Sequence, residues 1–502
     1  MTTGLPAGAR SAAWIGAIIL AITAFFSAGV HHADEHYQVL EFAGWKLGIT
    51  PAHELPWEFG ERMRPALQPT IVVAVHRSLA LLGEPDPFTV ALILRLLTAA
   101  LTFTAAVLLL KGRLRIDPVL QRENWLRLYL FLAFFLWFSV YCGVRFSSEG
   151  LSGALFAIGF ACVVYSLGSS SRLVLLGSGL VLGLAVVVRF QVGMMVVGLL
   201  IWSVLIKQQR WDRSAALLLG IVLSLGAGSL LDRWFYGEWV FTIWNYVDLN
   251  IIQGKADSFG TEPWWYYFTS LVERALPPFS LLFLIGPMIL FVLGRRDALT
   301  WAVVPFLLAH LLVGHKELRF LFPVIPLLPA LVVGGLSKAE ERGWLRWMSD
   351  RAGRSFRTFF LVVHVPLLLV IMFKPAQDDI GFYRELYRTA RPGDLIVHDN
   401  DDPFRQGLPV WYIRPRGVRV GSVHSTGPST YGRLLFVSRS RDQAFPSGMR
   451  TELLYSAFPD WLLRMNVGGW ADRTAVWRIW EVNSYNPSSA IDADVPTDHQ
   501  HP

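Results

Sequence analysis

LVLLGSGLVLGLAVVVRFQVGMMVVGLLIWSVLI, residues 173–206, holds a single charged side chain, Arg189, in an otherwise apolar run. Helix crossing a bilayer needs roughly 17–25 apolar residues, so this stretch is long enough for two crossings with a turn at Arg189. An intramembrane arginine is costly, which places Arg189 at a membrane boundary rather than in the middle of one long helix.

Runs of the same kind recur outward in both directions, at about 12–30, 90–110, 126–142, 151–167, 173–188, 191–206, 214–231, 276–293, 299–314, 318–336 and 357–373. That repetition cannot be one buried core. The composition agrees: 53% of the 502 residues are hydrophobic and only 17% charged, which is too apolar for a soluble chain of this size. The first run, Ala12 to Val30, follows Arg10 and ends near Ser27 and Ala28, as a secretory signal would; because many spans follow, it reads as an uncleaved anchor. Cys142 and Cys162 lie in or beside apolar runs and suggest neither a disulfide framework nor a zinc site.

The net charge of +7 is informative through its distribution, and it points to membrane orientation rather than to nucleic acid. With the N-terminus in the cytoplasm, the loops on that side are 111–127, 207–213, 294–296 and 338–357, all short and dominated by Arg and Lys. Residues 65–82 are apolar as well, but counting them as a crossing would turn the basic segment after Lys111 outward. They are therefore expected to lie flat on the outer surface. Eleven crossings put the C-terminus outside. From residue 374 the composition becomes mixed polar, with short apolar runs DLIVHD, GVRVGSV and RLLFVS that read as strands. The expectation is a transmembrane unit over 1–373, all-α and polytopic, and a smaller α/β extracytoplasmic domain over 374–502 whose tail after about 483 is disordered.

Nearly every unusual polar residue then falls on the outer side. The first outer loop, 31–89, opens HHADEHYQVLEFAGWKLGITPAHELPWEFGERMRP and brings His31, His32, Asp34, Glu35, His36 and Glu41 directly after a span. A carboxylate held beside low-dielectric material can have a raised pKa and act as a general base; the plain alternative is a solvated acidic loop. Asp34 with His36, or His32 with His36, could also ligate a metal, although the spacing is not diagnostic. Arg145 and Glu149, four residues apart, either pair with each other or touch substrate. Arg189 either snorkels to the interface or offers a guanidinium to a phosphate. The loop 231–268 is rich in aromatics, Trp264 and Trp265 among them; half suit a membrane belt, and the rest, with Asn245, suit a sugar. HKELRF, 315–320, crowds His315, Lys316, Glu317 and Arg319 into the junction of two apolar spans, which is costly without partners or a ligand.

These segments, in this order, resemble the family of GPI-anchor and ALG-type mannosyltransferases, glycosyltransferase family 22 in the GT-C class of membrane enzymes. HHADEHYQVLE is similar to that family's HPDEYWQ-like first-loop motif, YGEWVFTIWNYVDLNI and GTEPWWYYF to its aromatic segments, and HKELRFLFPVIPLL to its HKEERFLFPVYPLL signature. The resemblance covers residues 12 to about 336. It implies a GT-C-like fold and inverting transfer of a sugar, mannose, from a polyprenyl-phosphate carrier to a hydroxyl of a glycan or glycolipid acceptor on the outer face. Asp34 would be the base and Glu35 its acidic neighbour, with His315, Lys316 and Arg319 facing the donor phosphate. Arg189 joins them on the chemistry above, and His32, Glu317, Arg145, Glu149, Asn245, Trp264 and Trp265 complete a substrate-binding set. No cofactor or metal is called for, and the partners are the lipid-linked donor, the acceptor and membrane lipid. The divergent C-terminal unit suggests a bacterial inner membrane. Competing readings are a transporter or flippase for a lipid-linked sugar, which requires polar groups near bilayer centres, and a catalytically silent sugar-binding module.

Overall fold

The computed structural model describes residues 3–166, 171–399, 401–405, 407–423, 433–441, 445 and 450–484. The chain divides into two compact units, one holding residues up to Lys46 with Pro56–Ala376, the other holding Leu47–Leu55 with the residues from Gln377 onward.

The first unit is helical. Among the described residues six helices are long and apolar enough to cross a membrane: Ala7–Phe26, Pro87–Ile116, Ser148–Tyr165, Trp211–Tyr236, Leu318–Glu341 and Arg351–Phe373. Four shorter apolar ones, Arg172–Val188, Phe190–Ile206, Ser280–Leu293 and Ala298–Leu312, match four more of the expected runs. The eleventh run, 126–142, is not one helix but two, Glu123–Phe134 and Trp137–Cys142, because the backbone leaves helical geometry at Phe135 and Leu136. Residues 65–82, expected to lie on a surface, form the helix Leu67–Ala80, which buries Gln68, Val72, Val73 and His76 and exposes Ala74, Arg77 and Ser78.

Small residues let these helices approach closely, the usual device where lipid removes the hydrophobic drive for association. A Cβ placed on Gly179 would overlap the Leu217 carbonyl, and one on Gly220 the Leu176 carbonyl, so the helices Arg172–Val188 and Trp211–Tyr236 meet backbone to backbone. Ser224 Oγ donates across the same seam to the Leu180 carbonyl at 2.7 Å. A second close approach positions the site. Residues Leu318–Leu327 form a 3-10 segment, since Pro323 and Pro326 lack the N–H that an α-helical ladder needs. Gly153 packs directly on the backbone of Pro323, where a Cβ would come within 2.7 Å. One turn before each contact stand Glu149 and Arg319, which the packing therefore brings together.

Basic loops gather at one end of the unit. Arg113 pairs with Asp117 (2.7 Å) and Asp297 (3.1 Å), Arg122 with Glu340 (2.7 Å) and Arg172 with Asp212 (2.8 Å), while Trp202 Nε1 donates to the Arg296 carbonyl (2.9 Å). The loops 31–36, 145–149, 188–191 and 313–319 meet at the opposite helix ends.

In the second unit, β1 (Leu395–His398), β2 (Arg419–Ser422), β3 (Leu434–Ser438), β4 (Arg450–Ser456) and β5 (Arg478–Ser484) form one sheet in the order β2-β1-β3-β5-β4. β1 lies between β2 and β3, parallel to both, and β5 runs antiparallel to β3 and β4. β1 to β3 are the three runs read as strands. Leu395, Val397, Phe436 and Trp480 supply one core face, and on helix Ile380–Thr389 Phe382 stacks on Trp477 at 4.3 Å. The tail expected to be disordered lies, beyond Ser484, outside the described residues.

Candidate active site

The site begins where the first helix ends. Ser27 leaves helical geometry and Gly29 turns the chain at φ 85°, a conformation glycine adopts without penalty. Two carbonyls exposed by this turn are claimed by one guanidinium: Arg145 donates to the Gly29 carbonyl at 3.0 Å, to Ser27 Oγ at 2.7 Å and to the Ser27 carbonyl. Arg145 thus fixes the start of the first loop, and it does not meet Glu149. The loop then winds into a π-helical turn over Glu35–Glu41, stapled by a buried pair between His36 Nε2 and Glu41 Oε1 at 2.7 Å. Turns of this type carry an extra residue and are common at functional sites. Here the turn presents Asp34 and Glu35 to a pocket they share with His31, His32, Arg64, Glu149, Arg189 and Arg319.

Arg319 is the hub of that pocket. Its Nε and Nη2 donate to the two oxygens of Glu317 (2.6 and 2.9 Å), a fork-to-fork pair, and its Nη1 donates to Asp34 Oδ2 at 2.7 Å. Glu149 Oε1 lies 3.4 Å from the same Nη1 and accepts from Arg189 Nη1 at 2.9 Å; Ser148 Oγ accepts from Arg189 as well, at 3.0 Å. His32 sits between two carboxylates, with Nδ1 3.5 Å from Asp34 and Nε2 3.6 Å from Glu317.

Burial by itself would raise the pKa of Asp34. The hydrogen bond with His32 and the charges of Arg319 and Arg64 outweigh it and hold the carboxyl well below the usual carboxylate range. Its neighbour behaves oppositely: burial pushes Glu35 up to about 7 against the opposing pull of Arg145. His32 is raised, mainly through its hydrogen bond with Asp34. Two adjacent carboxyls therefore differ in proton affinity, the arrangement from which acid and base roles are built.

The remaining expected site residues lie elsewhere. Lys316 directs its ammonium to the carbonyls of Glu262 (2.9 Å), Gly314 (3.4 Å) and Val313, and His315 Nδ1 contacts the Gly260 carbonyl at 2.9 Å while its Nε2 lies 3.2 Å from Glu317 Oε1, behind Arg319. Both tie the aromatic loop to the helix junction instead of lining the pocket. Asn245 donates to the carbonyls of Glu61 and Arg62, each at 3.2 Å. Trp264 and Trp265 stand 60% and 50% exposed, away from the pocket lining. His36 is spent on Glu41, and among the described residues no cluster of three or more His, Cys, Asp or Glu is arranged to hold a metal. Sequence reasoning missed Arg64, which lines the pocket and donates to Glu58 at 2.5 Å. It also missed Gln191, held there by the Tyr246 hydroxyl at 2.9 Å. The only signal for Arg64 was an arginine next to Pro65 at the start of an apolar run.

The profile of the Alg9-like mannosyltransferase family matches residues 12–386. A GPI alpha-1,2-mannosyltransferase 3 from Xenopus laevis is 28% identical over 312 residues, 62% of this chain and 56% of that protein, so the chain spans little more than half of that relative's length. A GPI mannosyltransferase 3 from Yarrowia lipolytica is 25% identical over 416 residues, 76% of this chain and 72% of the relative. The fold is similar to that of ArnT from Cupriavidus metallidurans bound to undecaprenyl phosphate, with a TM-score of 0.51 and 11% identity over 96% of this chain and 99% of that one.

Proposed function

The chain belongs to the Alg9-like mannosyltransferase family, and on that premise we propose that it is an inverting membrane glycosyltransferase moving mannose from a polyprenyl-phosphate carrier to a hydroxyl of a glycan or glycolipid acceptor at the outer membrane face. The observation that carries this reading is the contact between Asp34 and Arg319, which joins a first-loop acid to a cation from a distant helix junction at 2.7 Å. The basic loops at the far end belong on the cytoplasmic side by the positive-inside rule, so the pocket opens outward.

In the proposed reaction Asp34 takes the proton of the acceptor hydroxyl as its oxygen bonds to the anomeric carbon. The bond from that carbon to the phosphate oxygen breaks on the opposite side, and its electron pair leaves with the polyprenyl phosphate. Inversion follows from the single displacement. The departing phosphate gains one negative charge and needs no proton, because Arg319 and Arg189 meet that charge as it develops. The proton on Asp34 passes to water. Paired charges at the helix ends support a one-sided site over a translocation path, which would place them along the bilayer interior.

The test incubates membranes containing the protein with radiolabelled polyprenyl-phosphate mannose and candidate acceptors, comparing wild type with Asp34→Asn. Product from wild type and none from the variant is expected. Equal product removes Asp34 as the base, and no transfer from any lipid-linked sugar brings the transporter reading forward.

A further inference from the structure

Three arginines and three carboxylates line the pocket, Arg64, Arg189 and Arg319 with Asp34, Glu35 and Glu149. Positive and negative groups there are equal in number. Arg319 in particular has a carboxylate on each of its three nitrogens. A phosphate that binds Arg319 at any of these nitrogens therefore competes with the carboxylate already there.

The three carboxylates around Arg319, with Glu149 at 3.4 Å from Nη1 as the third, are not held equally. Glu317 grips two nitrogens in a bidentate pair. Glu149 is 4% exposed and is also held by a second guanidinium, that of Arg189. Asp34 holds Arg319 through one oxygen and one nitrogen, and its side chain is 30% exposed. Glu317 is equally exposed, at 29%, so what separates the two is that Asp34 holds by one bond and Glu317 by two, and the single bond is the one a competing anion removes most readily.

Resting on the reading of this pocket as a polyprenyl-phosphate-dependent transferase site, we infer that the donor phosphate takes the place of Asp34 on Nη1 of Arg319, so that arrival of the donor is the event that frees the base. Before the donor binds, Asp34 is clamped by a guanidinium and is a weak proton acceptor. Once the phosphate holds that guanidinium and offsets its charge, Asp34 is freed from its hydrogen bond with Arg319 and faces the acceptor hydroxyl, with His32 beside it. After transfer the product phosphate carries more charge, while protonated Asp34 has no claim on Arg319. Release of that proton to water restores the carboxylate, which then competes for Arg319 and helps to expel the product.

The distinguishing consequence is that removing the base should tighten binding. Purified full-length protein in lipid nanodiscs is titrated with farnesyl phosphate, a short polyprenyl phosphate. Asp34→Asn and Asp34→Ala are expected to bind it roughly five- to ten-fold more tightly than wild type, on the scale of one charge-assisted competitor removed, and Arg319→Gln to bind it more weakly. In the unmutated protein carrying isotope-labelled aspartate, farnesyl phosphate is expected to shift an aspartate carboxylate infrared band, a readout that does not depend on either variant folding. Wild-type binding with unchanged or weaker affinity in the folded Asp34 variants, or no band shift, overturns the exchange while leaving the donor class intact. Absence of binding to every form overturns the donor reading and the exchange with it.

Discussion

Glu149 Oε1 accepts from Arg189 Nη1 at 2.9 Å, in a pair whose side chains are 4% and 6% exposed. Neither group touches Asp34 by hydrogen bond, yet Glu149 also faces Arg319 and so sets the distance between the two guanidiniums proposed to receive the phosphate. Removing one partner of a buried pair leaves the other charge uncompensated, at a cost of about 3–5 kcal/mol. Glu149→Gln is expected to lower the melting temperature of the detergent-solubilised protein sharply, and the double variant with Arg189→Gln to recover most of the loss. Additive losses in the double variant would show that the two residues are not coupled.

Arg319→Lys separates the roles of shape and charge. A lysine keeps the positive charge but has no planar fork to hold Glu317 through two bonds while also reaching Asp34. Transfer by this variant should fall by roughly 10²-fold or more, the scale for loss of a preorganised donor at developing charge. Lys316→Met should act differently, because its ammonium satisfies carbonyls at a helix end; thermal stability should drop by about 1–3 kcal/mol as those carbonyls lose their donor. Similar effects of the two substitutions on the rate constant for transfer would contradict the division drawn between them.

Glu35 gives the protein a pH dependence of known sign. Unfolded, its carboxyl loses the proton near the ordinary 4.5; folded, burial keeps the proton on until about 7. Between those values the folded chain binds more protons than the unfolded one, so this group makes stability fall as pH rises from 4.5 through 7. Melting temperature measured across that interval should decline with pH in wild type, and Glu35→Gln should flatten the decline. A steeper decline in the variant would assign the effect to another group.

The reach of the sequence can be judged from particular residues. Apolar runs of bilayer length located ten of the helices, and Pro323 with Pro326 explains why Leu318–Leu327 is a tighter coil than its composition suggests. The break at Phe135 carried no signal, since neither proline nor glycine stands there and only packing distinguishes it from a continuous helix. Charges near span ends are alike in sequence and differ in their partners. Arg145 and Lys316 look like Arg319 in the sequence, with each beside an apolar run, but the carbonyls of Ser27 and Val313, each at the C-terminal cap of a helix, take up their N–H groups. Arg319 lies among carboxylates instead, and which of the two fates an arginine meets depends on contacts more than a hundred residues away. Asp34 meeting Arg319 across 285 residues was legible only through the order of motifs.

Helix packing and the site are linked through Gly335. A Cβ there would overlap the carbonyl oxygen of Gly286, so the helices Ser280–Leu293 and Leu328–Glu341 can keep their present separation only with glycine at this point. Gly335→Ala must push them apart, and overpacking of that kind costs about 1–3 kcal/mol. Helix Leu328–Glu341 continues directly from the 3-10 segment that carries Arg319, and Gly153 locks that segment against the helix of Glu149. Displacement of the helix should therefore loosen the contact of Arg319 with Asp34, lowering transfer as well as stability. Gly226→Ala is the control, because its Cβ would meet nothing within 4 Å and alanine favours helix by roughly 0.5–1 kcal/mol. The melting temperature should fall for Gly335→Ala and rise slightly for Gly226→Ala, and transfer should fall only in the first; a Gly335→Ala protein as stable and active as the control would mean that the close approach at Gly286 does not hold the site.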